Sequence, residues 1–192
     1  MTDLILASAS PRRRELLQQI GVRARSLPVD LDESVLPDEL PTEFVERLAR
    51  EKAEAGYQRA DVCLPALGSD TAVVLGNQIM GKPVDEADAV RMLLQLSGKT
   101  HEVMTGVAVT DGSHTVSEVV VTKVSFKPIT EAQARQYWAT GEPCDKAGGY
   151  GIQGLGAVFV KGIEGSYSSV VGLPLSETAA LLSQFKVPIW QS

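Results

Sequence analysis

The stretch from Leu67 to Pro83, LGSDTAVVLGNQIMGKP, constrains the fold of this chain more than any other. A short apolar run contains Asp70 and ends at Leu75, and Gly76-Asn77 then supplies the dipeptide typical of a β-hairpin turn. The returning segment ends beside Lys82. Because hairpin strands lie side by side, we expect Asp70 and Lys82 to face one cleft that holds an anionic ligand and a metal ion.

Asp70 interrupts an apolar run, so the pattern predicts a buried carboxylate. A buried acid is costly unless it is paired or bound to a metal. We therefore favour a functional role over a carboxylate that only caps a turn or accepts bonds from backbone amides. Two roles remain open for Asp70, a metal ligand and a general base.

Two phosphate-binding motifs are present in outline, and we reject both. Residues 76–82 match the start of a P-loop, but the next residue is Pro83 and offers no hydroxyl group for a magnesium ion. Residues 149–154 match GxGxxG, but the following residues 155–160 are typical of a strand, whereas a dinucleotide fold needs a helix there.

The N-terminal segment predicts a strand, a turn and a helix that together form an anion site. Residues 3–7 are apolar enough for a buried strand, Ser8 to Pro11 form the turn, and Ser10 is a suitable N-cap. The helix runs from Arg12 to about residue 20. Arg12 and Arg13 lie in its first turn beside free backbone amides, which favours an anion there over merely solvated arginines.

An acidic loop and a second helix follow. The loop carries five acids, any one of which could bind a metal or act in catalysis, and spacing alone does not choose among Asp30, Asp32, Glu33, Asp38 and Glu39. The helix spans residue 43 to about residue 55, with an apolar face at helical spacing. Lys52 lies off that face, so taken by itself it is predicted to be a surface lysine.

The remaining patterns predict an α/β protein of one domain, residues 1–192. Asp85 caps a helix over residues 87–96, and valine-rich strands cover residues 102–109 and 116–126. Thr130 and Gln133 form a capping box that opens another helix. A strand over residues 155–163 and a last helix that ends near residue 185 complete the chain.

Composition excludes several classes of function. The net charge of −6 argues against a nucleic-acid-binding protein, which needs clustered positive charge. Two cysteines and two histidines make a zinc site or a disulfide framework improbable, so a metal here would be a hard cation held by carboxylates. No apolar run is long enough to cross a membrane and the N-terminus is not a secretory signal, so we expect a cytoplasmic protein.

Seven motifs in the same order resemble those of one family, the Maf nucleoside triphosphate pyrophosphatases. The resemblance covers essentially the whole chain, and the motifs that carry it are SASPRR with ELL at residues 8–17, LAxxKA at 48–53, GSDT at 68–71, GKP at 81–83, LSG at 96–98, DKAGxYxIQG at 145–154, and GSY with VGLP at 165–174.

This resemblance implies a mixed, twisted sheet with flanking helices and two lobes around a central cleft, as in the inosine triphosphate pyrophosphatases. It implies cleavage between the α- and β-phosphates by water, giving a nucleoside monophosphate and pyrophosphate. It also implies a divalent cation (Mg, Mn or Co) and a homodimer.

The resemblance further implies roles for individual residues. Asp70 matches the acid that acts as base or in the metal site, and Glu33 matches a second acid of that site. The positions that support phosphate and metal binding match Arg12, Arg13, Glu33, Lys52 and Lys82. On this basis we assign four residues to catalysis, Asp70, Glu33, Lys52 and Lys82, and five to substrate binding, Ser8, Arg12, Arg13, Thr71 and Gln153.

The resemblance extends to the choice of substrate, for which one branch of the family uses the positions that match Arg12, Thr71 and Gln153. The branch of the family that acts on dTTP and UTP has Thr after the acid and Gln in the IQG segment, as Thr71 and Gln153 stand here. A glutamine amide can donate and accept, which suits the imide edge of uracil or thymine. We expect a dTTP/UTP pyrophosphatase that also accepts modified uridine nucleotides or CTP. The alternative is a nucleotide-binding regulator of cell division without catalysis.

Overall fold

The computed structural model describes residues 2–191, and within them seven strands form one mixed sheet. The strands are β1 (Leu4–Leu6), β2 (Ala24–Ser26), β3 (Ala66–Leu75), β4 (Gln78–Met80), β5 (Thr100–Thr110), β6 (Thr115–Phe126) and β7 (Val160–Glu164). Their order in the sheet is β2-β1-β3-β5-β6-β7, and β4 pairs with β3. β1 is parallel to β2 and β3, whereas the β3–β4 and β6–β7 pairs are antiparallel.

Helices accompany this sheet along the whole described chain. They are α1 (Pro11–Gln19), α2 (Pro41–Arg59), α3 (Glu86–Leu96), α4 (Glu131–Trp138), α5 (Tyr167–Val171) and α6 (Leu175–Gln184), with short 3₁₀ turns at Glu142–Asp145, Ala147–Gly149 and Leu155–Phe159. The prediction of a mixed α/β sheet with flanking helices is confirmed. Among residues 2–191, no helix combines the length and the apolar composition needed to span a bilayer.

The hairpin predicted around Gly76-Asn77 is present. β3 and β4 pair with Val73 opposite Met80 and Leu75 opposite Gln78, so the turn falls on the predicted dipeptide. Gly76 has a φ of 63°, a backbone conformation that glycine adopts without strain. Because a strand follows this turn directly, the rejection of a P-loop is also confirmed.

Two predicted helix starts have the expected caps. The Asp85 carboxylate accepts a hydrogen bond from the Asp88 amide at 2.8 Å. In the capping box of α4, the backbone amide of Gln133 donates to Thr130 Oγ1 at 3.2 Å, and the backbone amide of Thr130 donates to Gln133 Oε1 at 3.0 Å. These bonds satisfy amides that the first helical turn leaves without partners.

Two local predictions are wrong. Only β7 is extended within the strand predicted over residues 155–163, because the amides of Leu155 and Gly156 bond the Glu142 carboxylate and are not available to a sheet. Ser10 precedes α1 as predicted, but its side chain makes no capping bond. Its own amide donates instead to Ser8 Oγ at 3.1 Å.

The chain forms two compact units, each assembled from separate segments. The first unit comprises the chain up to Asp70, Thr105–Val120 and the chain from Gly172 onward, and the second comprises Thr71–Met104 and Val121–Val171. Three alanines of the first unit pack together where α2 meets β5, namely Ala49, Ala53 and Ala108. The second unit has an apolar core drawn from α3, α4 and the strands, and it includes the aromatic residues Phe126, Tyr137, Tyr150 and Phe159.

Candidate active site

Lys52 holds two carboxylates in the first unit. Its Nζ lies 2.8 Å from Asp70 Oδ1 and 2.7 Å from Glu33 Oε1. Lys52 and Asp70 are each only 8% exposed, whereas the Glu33 side chain is 53% exposed. The three groups therefore form a cluster with one net negative charge that reaches from the interior to solvent.

The burial of Lys52 corrects its prediction as a surface lysine, and Gly68 explains the difference. A Cβ atom at Gly68 would lie 2.2 Å from the Ala49 carbonyl oxygen and 2.9 Å from Lys52 Cβ. Helix α2 thus packs directly on the backbone of β3, two residues before Asp70. Gly106 makes a similar approach possible on β5, where a Cβ would lie 2.3 Å from the Val45 carbonyl oxygen.

Asp70 is buried, as the sequence predicted. Burial raises the pKa of the Asp70 carboxyl above its ordinary value, while Lys52 and Arg13 oppose that rise. Glu33 adds to the rise as a neighbouring acid. A carboxylate with a raised pKa is a better proton acceptor than an exposed one, which suits a general base.

Glu33 lies on the acidic loop, and Arg47 of α2 holds that loop. The Arg47 guanidinium bonds both carboxylate oxygens of Glu39, with its Nε at 2.5 Å and its Nη2 at 2.9 Å. Arg47 Nη2 also donates to the carbonyl oxygen of Ser34 at 3.0 Å. The bidentate pair with Glu39 orients Arg47. Since Ser34 follows Glu33 directly, the bond from Arg47 to Ser34 fixes the chain beside the carboxylate that reaches Lys52.

The N-terminal turn brings Ser8 and Arg13 together. Arg13 Nη1 donates to the hydroxyl oxygen of the buried Ser8 at 3.4 Å. Burial lowers the pKa of the Arg13 guanidinium, and Asp70 and Glu33 oppose this shift, so both acids act on it. An arginine keeps its positive charge at neutral pH. Arg12 is partly buried in the same helical turn.

Ser69 and Gly172 belong to this site and were missed as functional residues, although both lie in quoted motifs. The Gly172 carbonyl oxygen accepts from Arg13 Nε at 2.8 Å and from Ser69 Oγ at 3.1 Å. Ser69 is fully buried, and its hydroxyl also lies 2.8 Å from the Gly106 carbonyl oxygen. The carbonyl of Gly172 thus orients the guanidinium of Arg13, a role that side-chain chemistry alone does not indicate.

The other predicted site residues belong to the second unit. Thr71 follows Asp70 along β3 and is partly buried. Lys82 is exposed just beyond β4, and Gln153 is exposed in the glycine-rich segment. The sharing of one cleft by Asp70 and Lys82 stays a prediction.

The segment that carries Gln153 is held by Glu142 and Tyr137, which the sequence reasoning also missed. Glu142 accepts hydrogen bonds from the Tyr137 hydroxyl at 2.6 Å and from the amides of Leu155 and Gly156 at 2.8 Å and 3.0 Å. Burial raises the pKa of the Glu142 carboxyl, but these bonds outweigh it and the pKa lies below its ordinary value. Glycines are typical of positions where another group approaches the backbone closely, and at Gly154 that group is the Glu142 carboxylate.

The donor set of the first unit fits a hard divalent cation. Asp70 and Glu33 bring two carboxylates to one ammonium group. Among residues 2–191, no three or more His, Cys, Asp or Glu side chains gather into a group that could hold a metal ion by themselves. Magnesium commonly binds one or two carboxylates and completes its shell with water and substrate phosphates, so two acids are enough.

Comparisons with known proteins place the whole chain in one family. The family model "Maf-like protein" matches residues 3–185. A protein of Saccharophagus degradans named dTTP/UTP pyrophosphatase is 56% identical, covering 99% of this chain and 92% of that protein. Proteins of the same name from Pseudoalteromonas translucida and Escherichia coli O157:H7 are 54% and 51% identical, each over 96% of this chain and over 98% and 94% of their own lengths.

A solved structure provides an independent comparison of the fold. The structure of a HAM1 protein from Coxiella burnetii matches with a TM-score of 0.52, covering 96% of this chain and 100% of that one. The two sequences are 16% identical, so this likeness concerns the fold alone.

Proposed function

The chain belongs to the Maf family, and on that premise we propose that it hydrolyses pyrimidine nucleoside triphosphates to the monophosphate and pyrophosphate. The observation that carries the proposal is identity of 51–56% over at least 96% of this chain with relatives named dTTP/UTP pyrophosphatase. The ion-paired cluster of Lys52, Asp70 and Glu33 supports it. We propose dTTP and UTP as the main substrates, with modified uridine nucleotides and CTP as further candidates.

Recognition of the triphosphate is assigned to the cations around the first helical turn. Arg12 and Arg13 supply planar donor groups that suit phosphate oxygens, and Ser8 adds a hydroxyl group to the turn. The hydrogen bond from Arg13 Nε to Gly172 fixes the plane of that guanidinium before substrate arrives. Lys82, which is exposed and outside any P-loop, adds a positive point charge for a phosphate group.

Asp70, Lys52 and Glu33 are assigned to the chemical step. Asp70 has a raised pKa and could take a proton from the attacking water, while the Lys52 ammonium fixes the orientation of its carboxylate. Asp70 and Glu33 would also hold a divalent cation (Mg, Mn or Co), which neutralises phosphate charge when bound.

Recognition of the base is assigned to Thr71 and Gln153. The Gln153 amide offers one acceptor and two donors, and it is exposed where a ligand can meet it. A site that bonds the base edge discriminates against bases that leave these groups unpaired.

The alternative of a non-catalytic regulator of cell division is not favoured. Its expected signature is the loss of the site acids, whereas Asp70 and Glu33 are both present and lie on one lysine. The homodimer, the cytoplasmic location and the absence of nucleic-acid binding stay predictions from the sequence.

The test is release of pyrophosphate from a panel of nucleoside triphosphates, with Mg²⁺, Mn²⁺ or Co²⁺ and with a chelator. We expect dTTP and UTP to be hydrolysed faster than purine nucleotides, and the chelator to abolish the release. Absence of pyrophosphate from every triphosphate with every metal would overturn the proposed function. Undiminished release in the chelator would overturn the metal requirement.

A further inference from the structure

Gln153 by itself cannot tell a pyrimidine from a purine. The thymine edge presents an N–H donor beside a carbonyl acceptor, and guanine presents the same pair, so one amide satisfies both. The two bases differ in how far that edge lies from the sugar, because a purine has an additional ring. Selectivity therefore requires that the backbone of the segment around Gln153 be held in one conformation.

Two side chains hold this segment on both sides of Gln153. On the N-terminal side, the Gly151 amide donates to the Tyr137 hydroxyl oxygen at 3.0 Å. On the C-terminal side, the amides of Leu155 and Gly156 donate to the two carboxylate oxygens of Glu142. The Tyr137 hydroxyl donates to Glu142 at 2.6 Å and so joins the two anchors into one network.

The glycines of the segment allow this close approach. A Cβ atom at Gly154 would lie 2.3 Å from Glu142 Oε2, and one at Gly156 would lie 2.6 Å from the Tyr137 hydroxyl oxygen. The backbone that follows Gln153 is therefore in direct contact with both anchoring groups. Tyr137 is only 5% exposed, and it packs in the apolar core of the second unit.

We propose that Glu142 and Tyr137 are positioning residues that hold the backbone around Gln153 in one conformation and thereby make the site select pyrimidine over purine triphosphates. This inference rests on the proposed function, because it takes Gln153 to meet the base. Neither residue needs to touch the substrate. Each acts through backbone amides on either side of the glutamine.

The test uses the full chain with Tyr137→Phe and Glu142→Gln, each assayed on dTTP and on dGTP. The phenylalanine removes the hydroxyl that joins both anchors, and the glutamine replaces one accepting oxygen with a donor. In each variant we expect the ratio of kcat/KM for dTTP to kcat/KM for dGTP to fall about tenfold, the usual effect of one lost buried hydrogen bond. The fall should come from a higher KM for dTTP, with kcat/KM for dGTP unchanged.

Glu131→Gln is the matched control, because Glu131 is an exposed acid of α4 whose bonds go to Arg135. It should leave the ratio unchanged. Hydrogen exchange at the amides of Gly151, Leu155 and Gly156 supplies a readout independent of turnover, and these amides should exchange faster in both variants.

Three results separate the possible failures. Equal loss on dTTP and dGTP would show a merely structural role and overturn this proposal alone. Unchanged exchange and unchanged selectivity in a folded Glu142→Gln protein would also overturn it, even if Tyr137→Phe fails to fold. A wild-type protein that hydrolyses neither nucleotide, nor any other in the panel, would overturn the proposed function and this inference with it.

Discussion

The two units bury ionisable side chains in opposite ways. In the first, Lys52 and Asp70 lie in the interior as an ion pair that extends to Glu33 at the surface. In the second, burial lowers the pKa of His101 to about 4 and raises that of Tyr150, so both are kept neutral, and their side chains bond each other at 2.7 Å. A buried ion pair is thus retained where phosphates are proposed to bind, whereas the buried His101–Tyr150 pair of the unit that carries Gln153 is a neutral hydrogen bond.

Removal of Lys52 should have the largest effect, because it disrupts the buried ion pair of the first unit. Lys52→Met leaves Asp70 buried without its ammonium partner, and loss of one member of a buried pair typically costs about 3–5 kcal/mol. We expect a loss of that size in the free energy of unfolding, measured by chemical denaturation, together with loss of pyrophosphate release. Lys99→Met, at an exposed lysine, is the control, and an equally small change in both variants would contradict the ion-pair assignment.

Gly68→Ala tests whether the ion pair depends on close packing of α2. The added methyl group would meet the Ala49 carbonyl oxygen and the Ala53 amide, both of them backbone atoms that cannot rotate away. We expect a loss of about 3 kcal/mol in stability, near the upper end for an overpacked site, and reduced activity. Gly162→Ala, where a Cβ meets nothing within 4 Å, should have little effect. Similar stability in the two variants would be inconsistent with the packing.

The neutral half of the comparison is tested by pH. Because burial lowers the pKa of His101 from 6.5 to about 4, the unfolded chain binds the proton first as pH falls. The contribution of neutral His101 to the free energy of unfolding is therefore complete above pH 6.5. It is lost as pH falls toward 4, by roughly 2 kcal/mol between pH 6.5 and pH 5. The difference between wild type and His101→Phe, measured by denaturation at several pH values, should show this slope. Parallel pH curves for the two proteins would contradict it.

The smallest expected effect is at Arg47, which acts on Glu33 through the loop. Arg47→Met removes the bonds to Glu39 and Ser34, so Glu33 should reach Lys52 less often. We expect kcat/KM for dTTP to fall about tenfold, the scale of one lost charged hydrogen bond. The double variant with Glu33→Gln should lose little more than Glu33→Gln alone. Independent, additive losses would mean that Arg47 does not act through Glu33.

The local features of the fold could be predicted because their causes are local. The turn at Gly76-Asn77 and the capping box of Thr130 and Gln133 each depend on residues within a few positions of one another. The burial of Asp70 could also be predicted, since the acid lies inside an apolar run.

Features that depend on contacts distant in sequence could not be predicted in this way. Lys52 appeared to be a surface residue because its burial depends on Gly68, a glycine on another element. Residues 155–159 appeared to be a strand because the carboxylate of Glu142, more than ten positions earlier, takes up their amides. The sequence motifs indicated residues of the candidate site, but the groups that hold those residues in place depend on contacts that the sequence pattern does not show.

Asp70 provides the most direct test of the proposed chemistry. The products formed from dTTP by wild type, Asp70→Asn and Asp61→Asn should be measured under the same conditions, the last altering an exposed acid paired with Arg25. We predict that wild type and Asp61→Asn each form dTMP and pyrophosphate in a one-to-one ratio and at the same rate. The rate for Asp70→Asn should be at least about 10²-fold lower. A folded Asp70→Asn protein that forms the same products at the wild-type rate would contradict the role assigned to this carboxylate.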